Sequence, residues 1–341
     1  MKLVYVFAIL IFSAAALSAQ DQTEFEEISL PTQINFTVKP SFWKMSGETE
    51  YDYNITYPVV LLSGDTVDYA IRSLLEFPLD VAMAGGSVGI MKSNQEKTIW
   101  TVELGLYTNV GDPGGLMKDH DWLSLPTYFV GKISYTESDA KMKMLIFDIE
   151  GTALIFDFGT ASISILGGYH YQKIEQEIIG FSGWFIDWFI DSNLTQQLQS
   201  GNEPAIDYWV IYKGPKFGLS FQKEFSSKVQ LNLKSAFTMV WAKDFDDHLL
   251  RGFHSFADGT GTGILTGGNI RWDLNDQISG GQPFVEFQAS YDYFSVDATQ
   301  TREQYADAGP NENPVGTSFG GLPHDLKSSQ FRFGINLGLI F

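Results

Sequence analysis

Gln330-Phe331-Arg332-Phe333-Gly334-Ile335-Asn336-Leu337-Gly338-Leu339-Ile340-Phe341 puts an apolar side chain at every odd position, with Gln, Arg, Gly, Asn and Gly at most positions between. Successive side chains of a β-strand point to opposite faces, so this segment reads as a strand with one apolar and one polar face. The same period of two recurs upstream. Ile34, Phe36 and Val38 alternate with Asn35, Thr37 and Lys39, and Trp100, Val102, Leu104 and Leu106 with Thr101, Glu103 and Gly105. Val229, Leu231, Leu233, Phe237, Met239 and Trp241 alternate with Gln230, Asn232, Lys234 and Thr238, and Val285, Phe287, Tyr291 and Tyr293 with Glu286, Gln288 and Asp292. The chain is therefore expected to be all-β. A soluble sandwich produces the same alternation, so two further signals are needed.

A last strand that stops on Phe341 resembles the closing strand of outer-membrane barrels, and its polar partner face suits a polar lumen. The links supply the second signal. Short ones are expected at 92–97, 155–159, 226–228 and 273–282, and long loops at 47–67, 109–140, 176–204, 244–262 and 297–328. Short and long alternate, as periplasmic turns and extracellular loops do. Five long and four short links require ten strands with both termini on the periplasmic side. Many strands exceed the roughly ten residues a membrane crossing needs, so a ten-stranded antiparallel transmembrane barrel is expected to extend above the outer membrane.

Composition agrees. Met1-Lys2, the apolar run Leu3 to Phe12 and the small residues up to Ala19 have the layout of a secretory signal peptide, residues 1–19. The remaining residues, 20–341, are expected to form a single β-barrel domain with its chemistry on the extracellular rim. Cysteine is absent, which excludes a thiolate nucleophile and a Cys-ligated metal. The formal charge of −19 excludes a nucleic-acid partner, whose phosphates require a basic footprint.

Two clusters stand out on the rim. Asp119-His120-Asp121-Trp122 falls in the second long loop, and Asp244-Phe245-Asp246-Asp247-His248 ends the seventh strand. Alternation puts Asp244, Asp246 and His248 on the lumen face with Gln230, Asn232 and Lys234. It also gives Asp119 and Asp121 a shared face, and turns His120 and Asp247 away. A His beside a carboxylate can deprotonate water, and crowded carboxylates raise one another's pKa so that one stays protonated as an acid. The residue types leave three readings open: water-activated hydrolysis, a metal site built on Asp and His, and a solvated acidic rim.

Both clusters resemble the omptin family of outer-membrane endopeptidases. Gly114-Gly115-Leu116-Met117-Lys118-Asp119-His120-Asp121-Trp122 is similar to the omptin segment in which two Asp flank one residue and a Trp follows. Asp244-Phe245-Asp246-Asp247-His248 is similar to the omptin Asp-x-Asp-Glu-His. Ala205-Ile206 through Tyr212-Lys213-Gly214-Pro215 to Gly218-Leu219 matches the spacing of the omptin sixth strand. The resemblance implies a peptide hydrolase with catalytic residues Asp119, Asp121, Asp246 and His248, the water lying between the two pairs. It implies no metal or cofactor. Asp244 would receive a basic side chain, with Glu50 as the nearest second acid, although the register puts Tyr51 at the family position. Tyr169 matches a member of a wall patch that binds lipopolysaccharide-type lipid and Lys173 stands in for an Arg of it, while Tyr171 and Ile211 replace charged members. The expected partners are peptide or protein substrates and outer-membrane lipid, the expected state is a monomer, and the expected location is the outer membrane with the site facing outward. The competing reading is a non-catalytic barrel, a small pore or adhesin, whose acidic mouth binds cationic ligands.

Overall fold

The computed structural model describes residues 32–60, 64–94, 97–111, 114–125, 129–186, 195–274, 277–278, 280–307, 309 and 313–341. The expected signal segment lies outside them. The strands are β1 (Thr32–Val60), β2 (Thr66–Pro78), β3 (Val81–Asn94), β4 (Lys97–Asn109), β5 (Gly114–Leu125), β6 (Phe129–Asp157) and β7 (Ala161–Ile186). They continue with β8 (Thr195–Gln199), β9 (Pro204–Ser226), β10 (Val229–His248), β11 (Phe253–Asp273), β12 (Gln282–Gln304) and β13 (Ser318–Ile340).

These strands occupy ten positions in a closed antiparallel wall. β1 pairs with β3 along its lower half and with β2 along its upper half. β6 likewise pairs with β4 below and β5 above, and with β7 on its other side. Pairing of β1 with β13, Trp43 opposite Gly334, closes the ring. Phe36 and Phe341 exchange backbone hydrogen bonds of 3.0 and 2.9 Å, which puts the start of β1 and the end of the chain at one rim. β8 is an extra strip on upper β7. Where β1 changes partner, the Leu79 amide donates to the Gly47 carbonyl at 2.9 Å. Gly47 has φ +139°, and a Cβ there would lie 1.9 Å from the Ser329 carbonyl oxygen, so only glycine fits.

The structure corrects one expectation. The five segments expected as long loops are mostly strand: 47–60 with 66–78, 114–125 with 129–140, 176–186, 244–248 with 253–262, and 297–304 with 318–328 are paired wall. β1 and β6 each run 29 residues, where roughly 9–11 tilted residues cross a bilayer. The upper barrel is therefore a rigid collar above the apolar belt, and both expected functional clusters are built on strand.

Alternation sets the two faces. In β10, Ala236, Thr238, Val240, Ala242, Asp244 and Asp246 are buried in the lumen, whereas Leu233, Phe237, Met239 and Trp241 are exposed on the wall. Ile34, Phe36, Val102, Leu104, Ile264, Phe287, Phe333, Ile335 and Leu337 continue that apolar wall around the ring, the outward band of a membrane barrel.

The lumen is filled in two storeys. In the lower one, Lys216 reaches Asp148 at 2.7 Å and Glu150 at 2.8 Å, Lys234 reaches Glu150 at 2.6 Å, and Lys39 reaches Glu103 at 2.6 Å. Pairing of this kind is what buried charge requires. These residues line a cavity of about 160 Å³. Above it, Met45, Met83, Ile146, Ile174, Val210, Phe294 and Leu326 form an apolar layer. Across that layer Gln172 and Gln330 exchange amide hydrogen bonds of 3.0 Å.

Candidate active site

The upper ends of β5 and β10 supply the two acidic clusters, and the pleat decides which members meet. On β10, Asp244 and Asp246 are each 2% exposed, and the His248 side chain follows on the same face. His248 Nε2 donates to Asp246 Oδ2 at 2.8 Å, and its ring stacks on Phe253 at 4.3 Å. Asp247 faces the wall, where Tyr305 donates to it at 2.9 Å. On β5, Asp119 and Asp121 face inward with Met117 and Leu123. Ser134 of β6 donates to Asp121 Oδ2 at 2.5 Å. Burial, followed by the charges of Asp121 and Asp246, pushes the Asp119 carboxyl well above the usual carboxylate range. Ser73 of β2, opposite Asp121 in register, hydrogen-bonds Asp119 and opposes that shift in part.

The two strands face each other across the mouth, and Asp119 and Asp246 each bury one oxygen with no partner among the described residues. Such atoms mark a place for a water or a substrate group. Beneath them lie Tyr51, Phe77, Tyr208 and Tyr212, all buried, with Phe77 stacked on Tyr208 at 4.2 Å. The Tyr208 hydroxyl also lacks a partner among the described residues.

His120 turns outward, stacked on Trp122, with Lys132 2.6 Å from its Nδ1. Tyr169 and Lys173 lie on the outer wall of β7, opposite Pro215 and Ile211, and Lys173 is ion-paired with Glu175.

Glu50 requires a correction. Thr49 and Tyr51 are buried in the lumen, so the period of two turns Glu50 outward, among Glu48, Asp52, Glu76 and Lys327. It is not in the mouth. Tyr51 occupies the inward position, and its hydroxyl donates to Gln300 at 2.7 Å. Asp244 is inward but capped: His324 of β13, itself buried, donates from Nε2 to its Oδ2 at 3.2 Å, and Tyr51 packs on the His324 ring at 4.0 Å. Burial holds the Asp244 carboxyl above its ordinary range, against the pull of His324.

Sequence reasoning missed Ser73, Ser134, Tyr208, Ser255, Arg302 and His324. A signal existed for His324, because the even-numbered inward positions of Gln330 and Ser328 extend back to it through Leu326.

Fold and mouth together define a class: a ten-stranded barrel of the outer-membrane type whose upper lumen sets an Asp–His pair against an Asp pair. No family model and no curated protein matches the chain. Among solved structures, the chain is similar to the outer membrane protease OmpT from Escherichia coli, with a TM-score of 0.67 at 14% identity over 94% of this chain and 99% of that one. The outer membrane protein OprG from Pseudomonas aeruginosa also matches, with a TM-score of 0.32 at 11% identity over 92% of this chain and 99% of that one. The likeness to OmpT shows the barrel fold.

Proposed function

We propose that this barrel is an outer-membrane endopeptidase that cuts exposed peptides with water activated by Asp246 and His248, opposite Asp119 and Asp121. The observation that carries the reading is the 2.8 Å Asp246–His248 bond facing Asp119, whose carboxyl burial raises well above the usual carboxylate range. With Nε2–H given to Asp246, the other ring nitrogen of His248 is the base, and Asp246 stabilises the imidazolium formed. Protonated Asp119 is the acid that donates to the carbonyl oxygen or leaving amine. The apolar wall supports an outer-membrane location with the site outside, and an outer-wall contact of Tyr169 and Lys173 with lipid belongs to the same reading. The pore alternative is disfavoured by the closed layer under the mouth. A preference for basic residues is not part of the proposal, since Glu50 lies outside the mouth and Asp244 is engaged by His324.

Refolded protein incubated with quenched peptides tests this. Cleavage should occur with or without a chelator and be lost in His248→Ala. Absence of cleavage of every peptide in a random library, by protein with the folded barrel's resistance to trypsin, sinks the proposal. So does loss on chelation that a divalent ion restores.

A further inference from the structure

Beside the dyad, the upper lumen holds a cation and a hydroxyl for which peptide hydrolysis itself has no use. Asp246 of β10 pairs in register with Ser255 of β11, and Ser255 pairs with Arg302 of β12, so the three form one lumen-facing row. Adjacent strands lie about 4.8 Å apart, which sets Arg302 roughly two such steps from Asp246, within reach of residues flanking a bond cut there. The Arg302 guanidinium carbon lies 3.3 Å over the Phe253 ring, and that of Arg251 lies 4.9 Å from the same ring. Phe253 in turn carries the His248 ring. Among the described residues, Arg302 has no ion-pair partner. Ser255, 3% exposed, sits between it and Asp246, its hydroxyl without a partner among the described residues. Burial, then the neighbouring charge of Arg251, draws Arg302 below the ordinary arginine range. A bound anion would relieve both.

Charge at the mouth is compatible with an anionic guest. Burial raises the Asp119 carboxyl well above the usual carboxylate range, and Asp244 is paired with His324. Of the remaining inward carboxylates, Asp121 accepts from Ser134 and Asp246 from His248. Planar guanidinium is suited to bidentate capture of a carboxylate. A buried hydroxyl donor adds selectivity, because an uncharged isostere leaves these groups unpaired.

We infer that Arg302, with Ser255 beside it and Phe253 beneath it, is a carboxylate subsite, and that the peptides cut at Asp246–His248 carry Asp or Glu beside the scissile bond. This rests on the endopeptidase reading for its cleavage arm, so binding is measured separately. Three peptides differing only in Glu, Gln or Lys at the flanking position, all amidated at the C-terminus, are compared by kcat/KM. A fourth, the Gln peptide with a free C-terminus, separates a side-chain from a terminal carboxylate. Binding of the same fluorescent peptides is measured on the inactive His248→Ala protein. The Glu peptide should show a kcat/KM about 10-fold or more above that of Gln and a Kd about 10-fold or more below it, a charge-assisted pair being the source, and Lys should be poorest. Arg302→Met, which keeps the apolar stem over Phe253, should collapse the Glu-to-Gln ratio to about one, and Arg302→Glu should favour Lys. If nothing is cleaved but Glu peptides bind through Arg302, the endopeptidase reading fails and the subsite stands. Equal binding of Glu, Gln and Lys peptides, a preference carried only by the free C-terminus, or a ratio untouched by Arg302→Met overturns the subsite.

Discussion

Asp246 and Asp247 are adjacent and chemically identical, and only the pleat of β10 separates them. Asp246 is 2% exposed and bonded to His248, whereas Asp247 meets Tyr305 on the wall. Asp246→Asn keeps the shape but removes the charge that orients the base, and should cost on the order of 10²–10⁴ in kcat. Asp247→Asn removes an exposed charge worth at most about 1 kcal/mol, so its kinetics should match the parent. Equal losses from the two, with folding intact, would refute the assignment. Asp119 gives a second residue-scale test, in stability. Its carboxyl is raised in the folded state above the ordinary value of 3.8. Between the unfolded and folded pKa the native state holds more protons, so stability falls as pH rises through that window. Asp119→Asn removes this dependence. It should abolish cleavage yet raise the thermal midpoint at pH 7, with the gain shrinking towards zero below about pH 4, the unfolded carboxylate range. A lower midpoint at pH 7 than the parent would show that ionised Asp119 stabilises the fold.

Each long strand does two jobs along its length, and β10 shows how. Its lower outward residues Leu233, Phe237, Met239 and Trp241 face the apolar surroundings, while its upper inward residues carry the dyad. Phe237→Arg should weaken folding into lipid vesicles by roughly 2–4 kcal/mol, the usual midplane cost of Arg on the lipid face of a barrel. Folding yield titrated against urea measures it, and an unchanged midpoint would remove Phe237 from the belt. The same alternation explains what could be read from the chain. The inward set Asp119, Asp121, Asp244, Asp246 and His248 follows from counting in twos, because a strand flips every side chain if its register slips by one. Glu50 was misplaced for the same reason: the sequence offers three acids around Tyr51, and only the pleat tells which of Thr49–Asp52 face inward. Arg302 and His324 were hidden by the expectation of a loop over 297–328. Gly309, Gly316, Gly320, Gly321 and Pro314 punctuate that stretch, and their turn chemistry masks the strand on either side. Ser255 and Tyr208 acquire meaning only through cross-strand partners, which local pattern cannot supply.

The barrel as a whole separates two spaces. The cavity of about 160 Å³ in the lower storey is lined by Lys39, Glu103, Asp148, Glu150, Lys216 and Lys234, whereas the acidic mouth opens at the other rim. Between them Met45, Ile146, Ile174, Val210, Phe294 and Leu326 pack across the lumen, and Gln172 and Gln330 close the polar path, both essentially unexposed. An ion passing this layer would shed its water among apolar side chains, and desolvating a charge without a partner costs several kcal/mol. A ten-stranded wall is also close to the width that side chains alone can fill. The mouth is therefore a blind well closed from below by this layer, and a guest must enter and leave by the same opening. Reconstituted in planar bilayers, the protein should show no unitary conductance steps at moderate voltage. Replacing Gln172 and Gln330 together by Ala removes the paired amides and opens a gap in the layer, so brief conducting events should appear in that variant alone. Regular steps from the unmodified protein would mean that the layer is not closed, and would favour the pore over the enzyme.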